Sequence, residues 1–281
     1  MSFARHQTFY LRAGWLTKAI FALEKDTSIF SKKDAAIELG IGKNMVSSLR
    51  FWVRAAGLVE KNSPNKNMRL SRFGSIVKDY DPYFELDFTW WLVHYHIVND
   101  ENEATAWYFL FNKYPKKEFD RITFVEALAR YSNNAVSLSS YRKDYDCILS
   151  TYIDSNSNGT PEDNIVCPLS KFKLLSRINE GFIKKTSPQT TIPLEVVYFV
   201  IKHNSSVRTN VSNLLEDDNN IGKVFNLSID EIYYYLDRLE EKGWLSFSRT
   251  AGLDSIILNK KDDDWDIIEG AYQSLNQEVD F

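Results

Sequence analysis

The chain has 281 residues, a formal net charge of −4, 44% apolar and 26% charged residues, and only 11 Gly and 7 Pro. Such a length accommodates two or three domains with a buried core, and the composition excludes disordered and collagen-like classes. No apolar run reaches the roughly 18 residues of a membrane span, and the opening MSFARHQTFYLRAGW lacks the apolar core and small cleavage-site residues of a secretory signal, so a cytoplasmic protein is expected.

The total charge conceals an asymmetry. Residues 1–80 carry 14 Lys or Arg against 6 Asp or Glu, a net of +8, which leaves the remaining residues at −12. A positive field of that size suits a phosphate backbone, because release of condensed counterions drives sequence-independent nucleic-acid binding.

Within the basic segment the periodicity is helical. Ala13–Leu23 places Trp15, Leu16, Ala19, Ile20 and Leu23 on one stripe. Ser31 is the expected N-cap of a short helix, Lys32–Leu39, broken by Gly40-Ile41-Gly42 with Ile41 turned to the core. Lys43–Ala56 then buries Met45, Val46, Leu49, Trp52 and Val53 and ends at Gly57. Short helix, glycine turn and longer helix make a helix-turn-helix, whose second helix is free to enter the major groove. Its polar outer face is expected to contact duplex DNA through Lys43, Asn44, Ser47, Ser48, Arg50 and Arg54, with Asn44 near the helix start where base edges are read. Leu58–Lys61 and Met68–Leu70 read as two short strands around a turn-rich wing tip carrying Lys66, a further DNA contact.

From about residue 79 the chain turns aromatic-rich and helical, and most of these rings must be core. His94 and His96 would lie about 200° apart on a helix, which favours structural histidines over a metal pair. Cys147 and Cys167 are too few for a disulfide framework or a four-thiolate zinc site and read as small buried hydrophobes. Asp154–Asp163 reads as a surface loop. Asp79, Asp81, Glu85 and Asp87 form the one acidic group beside the basic unit; a divalent-metal nuclease site there would lack its usual lysine, and a solvated helix start is preferred.

After Thr186-Ser187-Pro188-Gln189 a second unit begins. Ile192–His203 and Asn210–Glu216 read as helices, Ser228 caps Ile229–Lys242, and Trp244–Arg249 with Leu253–Leu258 alternate as a hairpin about Thr250-Ala251-Gly252. This winged-helix pattern exposes Asp230, Glu231, Asp237, Glu240 and Glu241 against Arg238 and Lys242, so it would repel phosphates and is expected to bind protein, with Tyr233 and Tyr234 as anchors. The acidic stretch after Lys261 is expected to be a solvated tail.

The fold class expected is therefore mainly α with small β-hairpin wings (α+β), two winged-helix units flanking a helical middle domain. Boundaries fall at 1–78, 79–188, 189–261 and a tail at 262–281. Phosphate cradles, the nucleophile elbow, HExxH and CxxC are missing from the sequence, so no cofactor and no metal are expected.

Several strings resemble a known family. They are His6–Leu16 (HQTFYLRAGWL), Leu39–Val46 (LGIGKNMV) with Arg50 and Trp52, Asp79–Tyr83 (DYDPY), Trp91–Tyr95 (WLVHY) and Ala104–Tyr108 (ATAWY) through Phe111-Asn112. The chain is similar over most of its length to an uncharacterised bacterial domain-of-unknown-function family, encoded beside PAPS-reductase-like proteins of DNA phosphorothioation or phage-defence islands. Gln7 stands where that family carries an acidic residue, which speaks against a catalytic carboxylate there. The resemblance implies a DNA-associated accessory or regulatory protein. The sequence reading is thus a non-enzymatic duplex-DNA binder that also holds partner proteins or a second copy of itself. The alternative is a protein-interaction subunit, or a component of a DNA-modification enzyme with its site at the His6 strand and the His94 region. The N-terminal HQTFYLR segment is expected to pack on the middle domain and to place His6 and Arg12 in a cleft for a phosphate or a partner's carboxylate.

Overall fold

The computed structural model describes residues 1–154, 166–186, 192–250, 254–259 and 263–279. Most of the expected Asp154–Asp163 loop, the punctuation at 187–189 and the hairpin tip at 251–252 lie outside them. The chain is mainly helical, with two small three-stranded antiparallel sheets, an α+β arrangement.

The basic segment forms α1 (Trp15–Lys25), α2 (Ala35–Leu39), α3 (Lys43–Ala55) and α4 (Arg72–Tyr80). The second of these is shorter than expected. Ser31 ends a single 3-10 turn, Ile29–Ser31, and Asp34 stands at the N-cap position. Gly40, at φ 61°, closes α2, and Gly57, at φ 71°, follows α3, both in the left-handed region that a side chain disfavours. The expected pair of wing strands is not formed. Only Val59 and Leu70 bridge, because Met68 gives its N–H to Thr27 O instead of to a facing strand.

The aromatic stretch builds α5 (Asp87–Asn99), α6 (Thr105–Tyr108), a π-helical turn at Phe109–Lys113, β1 (Glu118–Phe119), α7 (Arg121–Tyr131) and α8 (Leu138–Tyr152). Helix α5 is apolar around its circumference and buries ten consecutive or near-consecutive positions between Phe88 and Val98. A helix of that kind belongs in the middle of a protein, and α5 packs against α6, α9 (Leu194–Asn204) and α11 (Ile221–Val224). A hairpin unexpected from sequence, β2 (Leu175–Ile178) and β3 (Gly181–Lys184), pairs with β1 in the order β1-β3-β2, with Phe182 opposite both Phe119 and Arg177.

In the C-terminal third, β4 (Arg208–Asn210), α10 (Val211–Glu216), α12 (Ile229–Glu241), β5 (Leu245–Ser248) and β6 (Ser255–Leu258) join α9 and α11. The sheet order is β4-β6-β5, so the hairpin gains an outer strand. Residues after 263 are not a solvated tail. They form α13 (Asp264–Val279), which packs on α4 and α9 and buries Ile267, Ile268 and Tyr272. The acids expected to keep this stretch in water instead grip cations: Arg72 pairs with Asp263 and Asp266, and Lys202 with Asp264. Buried side chains from Leu11 to Tyr272 form one contiguous core. Among the described residues no helix is long and apolar enough to cross a membrane.

Candidate nucleic-acid interface

Helix α3 buries Val46, Leu49, Trp52 and Val53 against α1 and α2, and this fixes which face remains outside. Lys43 and Asn44 are exposed, Ser47 and Arg50 half-buried, and Lys66 stands exposed on the loop that follows. Two of the expected contacts are not on this face. Ser48 is fully buried and donates to the Phe9 carbonyl (3.3 Å). Its position one residue from the core row turns a small hydroxyl inward, where it needs an acceptor. Arg54 is turned sideways: its guanidinium donates to Ser63 O and to Asn65 Oδ1, and lies 4.0 Å from Glu103. It therefore holds the loop that the missing wing strands would have fixed.

The N-terminal segment lies as a strap over α3 and α8. Phe9 O accepts from Ser48, from Trp52 Nε1 (3.0 Å) and from Cys147 Sγ (3.7 Å). Ser2 N–H donates to Thr105 Oγ1 (2.7 Å) and Ala4 N–H to Asp144 Oδ1 (2.8 Å), while Phe3 meets Tyr141 edge-on. His6 does not open into a cleft. It is fully buried, and since Thr8 N–H donates to its Nδ1, Nε2 carries the proton and donates to Asp144 Oδ1 (2.9 Å). Burial pushes the Asp144 carboxyl up, partly offset by the His6 hydrogen bond. Arg12 spreads over the rings of Phe9, Tyr10 and Trp15 at 5.6–5.9 Å, a cation–π seat rather than an anion cleft.

Sequence reasoning missed Arg5. Held between Ala4 and His6, whose backbone and ring both bond Asp144, Arg5 is exposed and close enough to act on Arg50. The Arg50 guanidinium is pushed down from its ordinary value by burial, then by the positive charges of Arg54 and Arg5. No local pattern marks Arg5, because the strap reaches α3 through contacts distant in sequence. Among the described residues Arg5, Lys43, Arg50 and Lys66 have no ion-pair partner, nor do Arg12, Lys18, Lys25 and Lys33, whereas Lys32, Arg54, Lys61, Arg69, Arg72 and Lys78 of the same segment are paired. Half of the cations without ion-pair partners in the basic segment thus lie on the strap, α3 and the loop that follows it.

The chain belongs to the DUF4007 family of proteins of unknown function, the match running over residues 3–272. Solved structures with the same fold include a magnesium ion-bound SspB crystal structure, with TM-score 0.86 and 23% identity, covering 97% of this chain and 88% of that one. An SspB crystal structure follows at TM-score 0.84 and 24% identity, with the same coverages. No curated protein matches the chain.

Magnesium belongs to that SspB structure; among the described residues of this DUF4007 chain, no three His, Cys, Asp or Glu side chains converge to hold a metal. The acidic group after α4 illustrates why. Asp81 is buried and spends its carboxylate on the start of α5, accepting from Glu85 N–H (2.8 Å), Leu86 N–H (3.2 Å) and Thr89 Oγ1 (2.5 Å). It is a helix-start acid, yet not a solvated one. Asp87 is paired with Lys171. His94 is fully buried; a carbonyl can only accept, so Nε2 donates to Val224 O (2.8 Å) and Nδ1 accepts from Tyr152 OH (2.8 Å). His6 and His94 are thus both buried, with partners on both ring nitrogens of each, and tie together segments distant in sequence. Cys147 and Cys167 are both buried and free, and burial pushes the Cys167 thiol up to about 12, so neither is a poised thiolate.

Proposed function

We propose that this chain is a duplex-DNA-binding accessory component of a DNA-modification or phage-defence system, gripping DNA through a winged-helix-like N-terminal unit. The observation that carries the reading is the grouping of four cations without ion-pair partners among the described residues, Arg5, Lys43, Arg50 and Lys66, on the strap, helix α3 and the following loop, with Arg5 close enough for its charge to act on Arg50. Lys43 and Asn44 at the start of α3 are placed to meet the groove, and Arg5 and Arg50 the flanking phosphates. The family resemblance supplies the DNA-modification context. The C-terminal unit, with a second winged-helix-like order of elements, is read as a partner-protein surface: Tyr234 is 47% exposed on α12 and carries Arg238 across its ring.

A mobility-shift titration of duplex DNA against salt tests the reading. About three phosphate contacts should give a slope of log K against log salt of roughly −3. Absence of binding at low salt, or a slope near zero, rejects it.

A further inference from the structure

On a part of the molecule that shares no residue with α3, a cleft of about 530 Å³ opens between the π-helical turn, β3 and the α10–α11 corner. Four lysines line it: Lys117, Lys184, Lys185 and Lys223. None has an ion-pair partner among the described residues, and the one lining carboxylate, Glu216, is exposed and likewise unpaired.

Lys184 shows that this is more than a solvated lysine patch. Its ammonium is drawn inward to the end of the π-helical turn, where it donates to Tyr114 O (2.9 Å) and Leu110 O (3.2 Å), carbonyls left over as the helix ends. Those carbonyls supply dipoles and no charge. Burial, and then the like charges of Lys223 and Lys117, push the Lys184 ammonium down to about 8. The fold thus holds three ammonium groups within mutual repulsion around a hollow, an arrangement that an anion seated between them would relieve. Pro115, Ile183 and Leu215 add an apolar flank to the same cleft. A volume of 300–1,000 Å³ with apolar walls and a few convergent charges is the usual character of a small-molecule site.

We propose that this cleft binds a small phosphorylated anion of nucleotide size, its phosphates between Lys117, Lys184 and Lys223 and its organic part against Pro115, Ile183 and Leu215. The inference does not rest on DNA binding by α3. A nucleic-acid backbone would need a groove open at both ends, and the cationic α3 face with its exposed Lys43 and Asn44 offers that elsewhere.

Calorimetric titration of the full chain with pyrophosphate and with ATP tests it. Both should bind saturably, ATP more tightly because of its apolar contacts, and Lys223→Gln and Lys117→Gln should each weaken both by about tenfold, the loss of one charge-assisted hydrogen bond. Neither lysine bonds the π-helical turn, so these variants leave its ends intact; Lys184→Gln would disturb them and is unsuitable alone. Arg50→Glu should leave pyrophosphate and ATP affinity unchanged. Absence of saturable binding by either probe overturns the proposal. So does a result in which Lys223→Gln leaves ATP affinity intact but lowers duplex-DNA affinity, since the cleft would then belong to a nucleic-acid surface.

Discussion

Helices α3 and α12 are each 13 residues long, each followed by a glycine in the left-handed region, Gly57 at φ 71° and Gly243 at φ 69°, and each leads into an antiparallel pairing. Their inner faces are alike, with Val46, Leu49, Trp52 and Val53 buried in one and Ile232, Tyr235, Leu236 and Leu239 in the other. Their outer faces are opposite. On α12 the acids are put to structural use: Glu240 accepts from Phe247 N–H, Asp237 pairs with Arg249, and Glu231 closes a capping box with Ser228. On α3, Lys43 and Arg50 are left without partners. One supersecondary pattern has been stabilised with charge in the C-terminal unit, while in the N-terminal unit charge has been left unspent and the loop after the helix is held by Arg54.

The largest effect should come from the shared inner face. Trp52 is fully buried, donates to Phe9 O and meets Trp107 and Phe51 edge-on, so it joins α3 to the strap and to α6. Trp52→Ala should cost about 3–5 kcal/mol in denaturant unfolding. Leu236→Ala on α12 should cost about 2–5 kcal/mol. A Trp52 variant losing less than Leu236→Ala would mean that the strap is not anchored through α3.

The contacts between helices at His94 and His96 should yield to acid. His94 joins α5 to α8 and α11, and His96 lies between Gly57, Phe73 and Trp265 of α13. Burial pushes His94 down to about 4 and His96 to about 3. An imidazole that is less basic folded than unfolded gains protons on unfolding, so its stabilisation is complete above its ordinary value near 6.5 and drains as pH falls toward the folded value. Each histidine should contribute up to about 3 kcal/mol to this acid loss. Asp81 and Asp144, pushed up by burial, favour the folded state as they protonate and oppose the trend at the acid end. Unfolding free energy measured from pH 7 to pH 4 should fall, and His94→Gln should flatten the profile. A profile unchanged by that substitution would place the acid lability elsewhere.

How much of this is legible in the sequence differs between the two units for a physical reason. Helices with an apolar stripe and a local stop, α1 before Asp26 and α3 and α12 before Gly57 and Gly243, are visible because both signals are local. The β2–β3 hairpin is not, since its four-residue strands carry little alternation, with only Leu175 and Phe182 buried. Helix α13 is hidden for the opposite reason: a run of Asp reads as solvated until Arg72 and Lys202, far away in sequence, are seen to neutralise it. In the candidate site, Lys43, Asn44, Ser47 and Arg50 follow from helical spacing, and Ser48 and Arg54 fail because one residue of rotation separates outside from inside. Arg5 depends on the His6–Asp144 contact across 138 residues, which no spacing in the N-terminal segment encodes.

The outer faces can be separated by charge. Lys43→Glu with Arg50→Glu should weaken duplex binding about a hundredfold at moderate salt and flatten the salt slope, with the fold unchanged, because two phosphate contacts become repulsions. Asp230→Lys with Glu241→Lys on α12, two exposed acids without ion-pair partners among the described residues, should change duplex affinity by less than about threefold if α12 faces a protein. Comparable effects from both pairs in a mobility-shift titration would dissolve the contrast, since both helices would then meet DNA.

The smallest effect concerns how each helix begins. Helix α12 starts with a reciprocal box in which Ser228 Oγ accepts from Glu231 N–H and the Glu231 carboxylate accepts from Ser228 N–H (2.7 Å). Helix α3 starts at Gly42, whose extended backbone, φ −63° and ψ 153°, suits an N-cap but supplies no acceptor. Ser228→Ala should therefore cost about 1 kcal/mol, while Gly42→Ser should gain a few tenths, since the new side chain meets only Met45 Sδ at 3.8 Å and its hydroxyl can accept from the first turn. The gain has a functional corollary. A hydroxyl that occupies the free N–H groups at the start of α3 competes with a phosphate for them, so Gly42→Ser should leave the protein slightly more stable and bind duplex DNA slightly more weakly. If thermal unfolding and the mobility shift both improve, the start of α3 does not touch the phosphate backbone, and the contact must be made farther along the helix by Arg50.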